Sequence, residues 1–389
     1  MNDIYETARR MRACAPVFGS SEADFRNDIL KRIRIDLEKN KEKIFSENEK
    51  DLADAESSGV SDAVKKRLVF DEKKLNSVLC GIKTLEGLED PVGVISLKRE
   101  LHEGLILIRQ SVPIGVIGVI FEARPDALVQ IASLCIKSGN CAILKGGRET
   151  ERTNRILFDV IHKALTDAGA PGDVLFHAFS HAEIDELLGC YGLIDLIIPR
   201  GSNAFVKYIM DNTSIPVMGH ADGICHIYVD EAYDTDTAIR VIIDAKTQYT
   251  AACNAVETLL INRNIKDTFL PKLKEALIEK NVKINGTKEV TGILGEDPFI
   301  ETIEDDAFNT EYLSLTLGIK LVDDVDEAIE HINTYGSHHT DAIITTDDEI
   351  AEKFMRLVDS AGVYHNCSTR FADGFRYGFG AEVRISTAK

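Results

Sequence analysis

The sequence lacks several features that mark specialised classes of protein. It contains eight Cys, but no CxxC pair and no Cys/His spacing typical of a zinc site. Its longest apolar stretch, 113–121, is too short to span a bilayer. Residues 1–18 carry charged side chains and no apolar segment typical of a signal peptide. We therefore expect a cytoplasmic protein without a disulfide framework.

Positive charge is also scarce in this chain. Lys and Arg number 45 against 64 Asp and Glu, which gives a formal net charge of −19. Nucleic acids and anionic membranes are therefore not expected partners. A small anionic substrate stays open, because a local cluster of Arg can reverse the field. The composition is ordinary for a globular protein, with 44% hydrophobic residues, and the length of 389 residues predicts two domains.

No internal repeat, low-complexity tract or Pro/Ser linker divides the chain, so its organisation follows from periodicity alone. Residues 22–90 have the spacing of several amphipathic helices. Residues 94–97 and 105–108 flank a polar turn, as in a β-hairpin. Strands and helices then alternate, which predicts a doubly wound, mostly parallel α/β sheet. A second α/β unit is predicted to begin near residue 227.

One cysteine stands out by its setting. Cys253 lies between a predicted helix, 236–246, and a predicted apolar strand, 258–261, and small residues precede it. A thiol on a short turn of this kind can be exposed and rigidly held. That suits a nucleophile, because the thiolate is the species that attacks. No second Cys is expected within its reach, and a buried structural thiol is the alternative interpretation.

Basic and glycine-containing segments follow the predicted strands. Lys145-Gly146-Gly147-Arg148 ends one strand, where open α/β sheets bind ligands and where glycine and cations suit a phosphate or ribose. Gly201 and Ser202 open a helix after another strand, which favours a dinucleotide phosphate even without a GxGxxG fingerprint. The alternatives are a plain turn with solvated charges at the first segment and a helix cap by Ser202 at the second.

Three other polar groups are candidates for function. Arg124 can hold a phosphate or an oxyanion bidentately, or it can form a surface ion pair with a neighbouring acid. His220 and His226 are candidate catalytic residues or hydrogen-bonded turn histidines, and His338-His339 is not expected to bind a metal because no third ligand is implied. Ser368, Thr369 and Arg370 follow an apolar strand and suit an amino-acid carboxylate or form a capped turn.

The order of these segments resembles that of a known family, the gamma-glutamyl phosphate reductases of the aldehyde dehydrogenase superfamily. The stretches that carry the resemblance are 112–125, 137–140, 195–201, 216–220, 244–258, 310–315, 368–371 and 380–383. The resemblance implies an α/β fold of two doubly wound, Rossmann-like domains with a β-hairpin oligomerisation element. Residues 1–93 and 113–226 would form the cofactor-binding domain, closed by 364–389. The hairpin would be 94–112, and 227–363 would form the catalytic domain.

The resemblance also implies a reaction. It is the NADPH-dependent reduction of L-glutamyl 5-phosphate to glutamate 5-semialdehyde, the second step of proline synthesis from glutamate, through a thioester on Cys253. The residues that match the family's sites fall into three groups. The catalytic ones are Cys253, Asn254 and Arg124; Lys145, Gly147, Arg148, Gly201, Ser202 and Glu311 would hold NADPH; and Arg124, Ser368, Thr369 and Arg370 would bind substrate.

The chain departs from the family pattern at several positions. Residues 217–220 contain no acid, which favours an acyl phosphate reductase over a hydrolytic aldehyde oxidase. Residues 249–252 (Tyr-Thr-Ala-Ala) replace the usual Arg-Pro-Gly-Val, and Ser202, His338 and Arg384 replace glycine. Family members continue beyond the position of Lys389 with a segment that completes the oligomerisation sheet.

Several expectations about partners and function follow from the resemblance. We expect a homodimer or larger assembly, and glutamate kinase is a candidate partner. The competing functions are a related acyl phosphate or acyl-CoA reductase and a non-catalytic partner of glutamate kinase.

Overall fold

The computed structural model describes residues 4–60, 62–122, 124–179, 182–219, 222–304, 306–374, 376–378 and 387. His220, the stretch 380–383 and Arg384 lie outside these residues. The chain divides into two compact units, Met1–Met218 and Gly219–Lys389. The predicted α/β class, with two parallel sheets and a β-hairpin, is confirmed. The domain boundaries and roles that the resemblance implies stay predictions.

Helices open the first unit. They are α1 Ile4–Gly19, α2 Ala23–Lys39, α3 Lys41–Ser57, α4 Asp62–Leu68 and α5 Glu72–Gly87. In α2 the buried face consists of Ile29, Leu30, Ile33 and Leu37, at the spacing of an amphipathic helix. The helices predicted between 22 and 90 are thus confirmed. The helix α1 lies before that segment and was not predicted.

The predicted hairpin consists of β1 Ile95–His102 and β2 Leu105–Gln110, which pair antiparallel. Gly104 in its turn has φ +74°, a conformation that glycine adopts readily. Nearly every residue of both strands is exposed. The exposed apolar side chains include Leu101, Leu105, Ile106, Leu107 and Ile108.

The parallel sheet of the first unit positions its candidate site. Its strands are β3 Val116–Phe121, β4 Cys141–Lys145, β5 Leu175–Ala178 and β6 Leu196–Arg200, in the order β5-β4-β3-β6. The helices are α6 Pro125–Lys137, α7 Glu151–Asp167, α8 Ala182–Leu188 and α9 Asn203–Asp211. The strand order reverses between β3 and β6, so their carboxyl ends flank the point where such sheets bind ligands.

The second unit contains a larger parallel sheet. Its strands are β7 Cys225–Val229, β8 Val256–Asn262, β9 Lys283–Gly286, β10 Ile300–Thr302, β11 Thr316–Val322, β12 Thr340–Ile344 and β13 Gly362–His365. Their order is β10-β9-β11-β8-β7-β12-β13. The strands β7, β8 and β12 are buried along their whole length, as in a sheet that helices cover on both faces.

Helices connect these strands. They are α10 Thr235–Thr247, α11 Lys266–Glu279, α12 Lys288–Leu294, α13 Val325–Tyr335 and α14 Asp348–Leu357. The sequence did not predict β9, β10, α12 or α14. The two strands have only four and three residues, too few for a clear period. No helix in the described ranges is both long and apolar enough to cross a membrane.

Candidate active site

Cys253 lies on the turn between α10 and β8, where the sequence predicts it. Cys253 is partly exposed, whereas the two residues directly after it, Asn254 and Ala255, are buried. The Ala255 N–H donates to the Ala252 carbonyl at 2.9 Å and closes the turn. Because the turn leads into the first residue of β8, it lies at the amino edge of the sheet. Cys253 is therefore partly accessible to solvent and held in a compact segment.

A buried ion pair joins the two ends of this turn. Lys246 in the last turn of α10 and Glu257 in β8 are 0% and 1% exposed, and Lys246 Nζ lies 2.6 Å from Glu257 Oε2. Lys246 Nζ also donates to the Val256 carbonyl at 2.9 Å. Burial raises the pKa of Glu257 to about 7, and the Lys246 charge opposes that shift. Either partner left alone would be an uncompensated buried charge, so the pair fixes the turn.

Gly223 packs directly against the backbone of the nucleophile. A Cβ at Gly223 would lie 2.1 Å from the Cys253 carbonyl oxygen and 2.5 Å from its Cα, so a larger residue does not fit without a shift. The Gly223 N–H donates to Glu311 Oε1 at 3.0 Å. Glu311, which the resemblance assigns to the nicotinamide ribose, is therefore connected to the nucleophile turn through Gly223.

The fold brings a second thiol to this turn. The Cys225 thiol is fully buried and donates to the Cys253 carbonyl oxygen at 3.3 Å. The expectation that no other Cys lies within reach of Cys253 is wrong. Cys225 and Cys253 are far apart in the sequence, and the pairing of β7 with β8 brings them together. Burial raises the pKa of Cys225 far above its usual value, so this second thiol stays protonated and is not a competing nucleophile.

The predicted substrate residues adjoin Asn254. Ser368 Oγ accepts the Arg370 N–H at 3.3 Å, so the capped turn considered as an alternative is present. Arg370 Nη1 donates to Asn254 Oδ1, and Asn254 Nδ2 donates to the Ala372 carbonyl at 2.8 Å. The Asn254 amide thus has protein partners on both atoms and positions Arg370 beside the nucleophile. Two buried polar atoms, Thr369 Oγ1 and Arg370 Nε, have no hydrogen-bond partner among the described residues, which is the condition expected of groups that receive a ligand.

Three residues of this cluster had no role in the sequence analysis: Lys246, Glu257 and Gly223. The signal for the ion pair was Glu257 directly before the predicted strand 258–261, because a charge in a buried strand requires a partner. Gly223 gave no such signal. Its importance depends on a close approach of two backbone segments, and only the tertiary structure shows that approach.

In the first unit, Lys145 ends β4 and is 6% exposed. Burial lowers the pKa of Lys145, and nearby carboxylates oppose that shift. A Cβ at Gly147 would lie 2.3 Å from Glu149 Oε1, so a carboxylate stands next to the glycine predicted to approach a phosphate. An ammonium donor and a carboxylate acceptor at one strand end are the groups that bind ribose hydroxyls. This donor set fits the ribose of a dinucleotide.

Arg148 follows this strand end and faces a cavity of about 680 Å³. Arg152 and Asp54, which also line the cavity, form an ion pair at 2.8 Å. Asp51 accepts the Thr153 N–H at 2.8 Å. These acids are already engaged, whereas Arg148 forms no ion pair among the residues that the structure describes. Glu149 and Glu151 line the same cavity. Arg148 is nevertheless an exposed cation with no ion pair in the described ranges, and such a cation fits the 2′-phosphate of NADP.

At the switch point of the same sheet, Ser202 caps α9. Its Oγ accepts the Phe205 N–H at 3.4 Å, the helix cap considered as an alternative. The Glu122 carboxylate accepts the backbone N–H of Ser202, and burial raises the pKa of Glu122. A Cβ at Gly201 would lie 2.7 Å from Glu122 Oε2. The Glu122 carboxylate therefore accepts from the same Ser202 N–H that was predicted to bind a dinucleotide phosphate. A phosphate can bind there only if the Glu122 side chain turns away.

Arg124 precedes α6 and its side chain is 49% exposed. Its Nη2 lies 3.5 Å from Asp126 Oδ2, and Lys74 Nζ lies 3.3 Å from the same oxygen. The ion pair considered as an alternative is therefore present. Arg124 belongs to the first unit and Cys253 to the second, so the oxyanion role of Arg124 stays a prediction.

His226 and His338 are each hydrogen-bonded to another part of the protein. The interpretation of His226 as a turn residue is wrong, because it lies in β7, fully buried, with its Nδ1 3.2 Å from Asp341 Oδ1. His338 is exposed, and its Nδ1 lies 2.6 Å from the Asp359 carbonyl oxygen. Within the described part of the chain, no three His, Cys, Asp or Glu side chains are grouped to hold a metal.

Known proteins with similar sequences support the resemblance to the gamma-glutamyl phosphate reductases. The Aldehyde dehydrogenase family pattern matches residues 2–293. The chain is 51% identical to a gamma-glutamyl phosphate reductase of Acetivibrio thermocellus over 386 residues, 99% of this chain and 89% of that protein. It is also 51% identical to one of Pelotomaculum thermopropionicum over 387 residues, 100% of this chain and 88% of that protein.

A solved structure agrees with these matches. The crystal structure of a gamma-glutamyl phosphate reductase from Thermotoga maritima superposes with a TM-score of 0.95 at 35% identity, over 99% of this chain and 93% of that chain. The aldehyde dehydrogenase type of fold is thereby confirmed, as is the resemblance on which it was predicted. The chain belongs to the gamma-glutamyl phosphate reductases, oxidoreductases of the aldehyde dehydrogenase family.

Proposed function

We propose that this protein reduces L-glutamyl 5-phosphate to L-glutamate 5-semialdehyde, with release of phosphate, as the second step of proline synthesis from glutamate. The proposal depends most on the position of Arg370, which is hydrogen-bonded to Asn254, the residue directly after Cys253. A partly exposed thiol stands on a turn fixed at both ends, and Asn254 holds a guanidinium beside it. A nucleophile next to a cation suits an anionic acyl substrate.

The first half of the reaction forms a thioester. The Cys253 thiolate attacks the acyl carbon of the substrate, a C–S bond forms, and the C–O bond to phosphate breaks with its electron pair leaving on phosphate. The fixed turn supports this step because it keeps the sulfur in one position relative to the substrate. Arg370 supports it because a guanidinium nearby favours both the thiolate and the departing anion.

The second half releases the aldehyde. When bound, NADPH supplies a hydride to the thioester carbon. The resulting hemithioacetal collapses, the C–S bond breaks, and the Cys253 sulfur is regenerated. Residues 217–219 offer no acid to activate water. That absence favours phosphate over water as the partner that exchanges with the thioester.

The groups proposed to hold NADPH lie at the strand ends of the first unit. Lys145, beside the Glu149 carboxylate, would bind the adenosine ribose, and Arg148 would bind the 2′-phosphate. Ser202 and Gly201 would receive the pyrophosphate once Glu122 has turned away, and Glu311 of the second unit would hold the nicotinamide ribose. The preference for NADPH rests on Arg148, the cation without an ion pair in the described residues.

We also propose that the hairpin of β1 and β2 is an oligomerisation element. An isolated two-stranded ribbon is marginally stable in water, and this one exposes apolar side chains along both strands. Pairing with a second copy of the chain would cover them. A homodimer or larger assembly, located in the cytoplasm, is the form in which we expect the enzyme to act.

The test is the reverse reaction. Purified protein is mixed with pyrroline-5-carboxylate in equilibrium with the semialdehyde, NADP⁺ and inorganic phosphate, and the absorbance of NADPH is followed. We expect NADP⁺ reduction that requires phosphate and is lost in Cys253→Ser. Reduction supported by coenzyme A and not by phosphate would indicate the acyl-CoA alternative instead. No reduction by a folded wild-type protein would reject the proposed function and favour the non-catalytic alternative.

A further inference from the structure

Arg376, which had no role in the sequence analysis, lies beside Arg370. Its Nη1 donates to the Arg370 carbonyl oxygen at 2.8 Å, and its Nη2 donates to Gln248 Oε1 at 3.1 Å. Gln248 directly follows α10 as its C-terminal cap, so it begins the turn that carries Cys253. Arg376 is therefore hydrogen-bonded both to the nucleophile turn and to the segment that bears Arg370.

The hydrogen bonds that the two guanidinium side chains donate go to uncharged acceptors among the described residues, namely neutral side chains and a carbonyl. Burial lowers the pKa of Arg370 and the positive charge of Arg376 lowers it further, whereas the charges of Cys253, Asp373 and Asp244 raise it. Two neighbouring cations repel each other, so an anion bound between them would stabilise the arrangement.

A second, independent feature indicates a ligand. Arg370 Nε is buried and has no hydrogen-bond partner among the described residues. A buried donor left unpaired destabilises the protein. This nitrogen belongs to one of the two guanidinium groups, and its lack of a partner is explained if a ligand oxygen accepts from it when the site is filled.

We propose that Arg376 and Arg370 together bind the phosphoryl group of the acyl phosphate. The proposal rests on the function proposed above and deepens it. In that substrate a phosphoryl oxygen is bonded to the carbon that Cys253 attacks. The side chains that bind the phosphoryl group must therefore lie next to the thiol. The distal carboxylate of a glutamyl group is separated from that carbon by the side chain. Planar guanidiniums match phosphate oxygens bidentately.

The residues of the nucleophile turn explain why Arg376 is needed as a second cation beside Arg370. Residues 249–252 are Tyr-Thr-Ala-Ala, so the residues directly before Cys253 carry no guanidinium of their own. Arg376 contacts Gln248, the residue directly before Tyr249, and thereby brings a guanidinium to the same turn from a distant part of the chain. As the C–O bond to phosphate breaks, the charge that develops on the leaving oxygen falls between two fixed cations.

The test measures KM for inorganic phosphate in the reverse reaction. For Arg376→Gln we expect this KM to rise about tenfold to hundredfold, the loss of one charge-assisted contact. The KM for the semialdehyde should change less than about twofold. Arg356 is an exposed arginine on α14 of the same unit, and Arg356→Gln, which removes the same charge, should behave as wild type.

A rescue variant separates phosphate binding from a purely structural role. Adding Tyr249→Arg to Arg376→Gln puts a guanidinium back on the turn, and we expect the phosphate KM to return to within about threefold of wild type. A structural tie to Gln248 would not be rebuilt by that change. An unchanged phosphate KM in Arg376→Gln overturns the proposal. A rise in the semialdehyde KM alone also overturns it, because the cations would then bind the glutamyl carboxylate.

A second measurement does not depend on turnover. Iodoacetamide labels Cys253, and peptide mass spectrometry gives the rate with and without inorganic phosphate. We expect phosphate to slow labelling in wild type and to lose this effect in Arg376→Gln. Equal protection in both, or none in wild type, overturns the proposal. Protection in a wild-type protein that lacks phosphate-dependent NADP⁺ reduction would support the anion site while rejecting the reductase function.

Discussion

Replacing Lys246 by Met removes one half of the buried ion pair that fixes the nucleophile turn. Glu257 would stay in a strand where it is 1% exposed, without the ammonium group that lies 2.6 Å from its carboxylate. The Val256 carbonyl would lose a donor at 2.9 Å as well. The variant therefore leaves an uncompensated charge in the core of the second unit, while Met fills nearly the same volume.

The expected magnitude follows from burial. Removing one partner of a buried pair costs about 3–5 kcal/mol, whereas an exposed pair contributes about 0.2–1 kcal/mol. Since about 1.4 kcal/mol is a tenfold change, local opening of the second unit should become on the order of a hundredfold to a few thousandfold more frequent. The Lys353–Asp326 pair on the surface of the same unit, with side chains 39% and 63% exposed, provides the control Lys353→Met.

The assay uses the buried Cys225 thiol as a reporter. It is fully buried beside the turn, so it reacts with a maleimide only when this part of the unit opens. Labelling of the Cys225 peptide is followed by mass spectrometry in native buffer. In Lys246→Met we expect the labelling rate of Cys225 to rise on the order of a hundredfold to a few thousandfold. In Lys353→Met the rate should stay within about fivefold of wild type. Less than about a fivefold increase in Lys246→Met would refute the argument.

The pH dependence of this variant has a defined sign. Burial raises the pKa of Glu257 to about 7 from an ordinary value of 4.5, and the Lys246 charge limits that rise. Without Lys246 the pKa in the folded state rises further. A carboxyl whose pKa is raised by folding stabilises the protein when protonated, and that stability is lost as pH rises through the folded-state pKa. The penalty of Lys246→Met should therefore be smaller at pH 6 than at pH 8.

Three further substitutions test the site. Gly223→Ala places a Cβ where Cys253 backbone atoms lie, so kcat should fall at least about tenfold with circular dichroism unchanged, and a normal kcat would contradict the close packing. Glu122→Gln removes the carboxylate that competes with the cofactor phosphate for the Ser202 N–H, so KM for NADP⁺ should fall severalfold. In wild type this KM should decrease as pH falls and Glu122 is protonated, and the variant should lose that pH dependence. An unchanged KM would refute the competition between Glu122 and the phosphate. Arg148→Ala should lower the preference for NADP⁺ over NAD⁺ by about tenfold in kcat/KM, and an unchanged ratio would exclude Arg148 from the 2′-phosphate site.

Local patterns of the sequence predicted the frame of the site. The apolar runs of β3 and β4 are short and bounded by turn residues, and the turn of Cys253 is flanked by a helical period and an apolar strand. Each of these signals arises within about ten residues, the range over which periodicity is informative. The strand ends that carry Lys145 and Ser202 could be placed for the same reason.

The partners of these residues could not be predicted, because they come from distant parts of the chain. Asn254 is an ordinary polar residue in sequence, and its function of holding Arg370 depends on the return of the segment after β13 to the nucleophile turn. The contact of Glu122 with Ser202, at the amino end of α9, likewise depends on the pairing of β3 with β6. Arg376 gave no local signal, since nothing in its neighbourhood relates it to Gln248.

The most direct test of the central claim, that Cys253 carries the glutamyl group as a thioester, is a burst measurement. Enzyme, NADP⁺ and semialdehyde are mixed rapidly without phosphate, and NADPH is followed by absorbance while the Cys253 peptide is analysed by mass spectrometry. If Cys253 forms the thioester, we expect one NADPH per active site, a glutamyl group on Cys253, and faster turnover once phosphate is added. No burst and no modified Cys253 in a protein that still turns over with phosphate would contradict this claim.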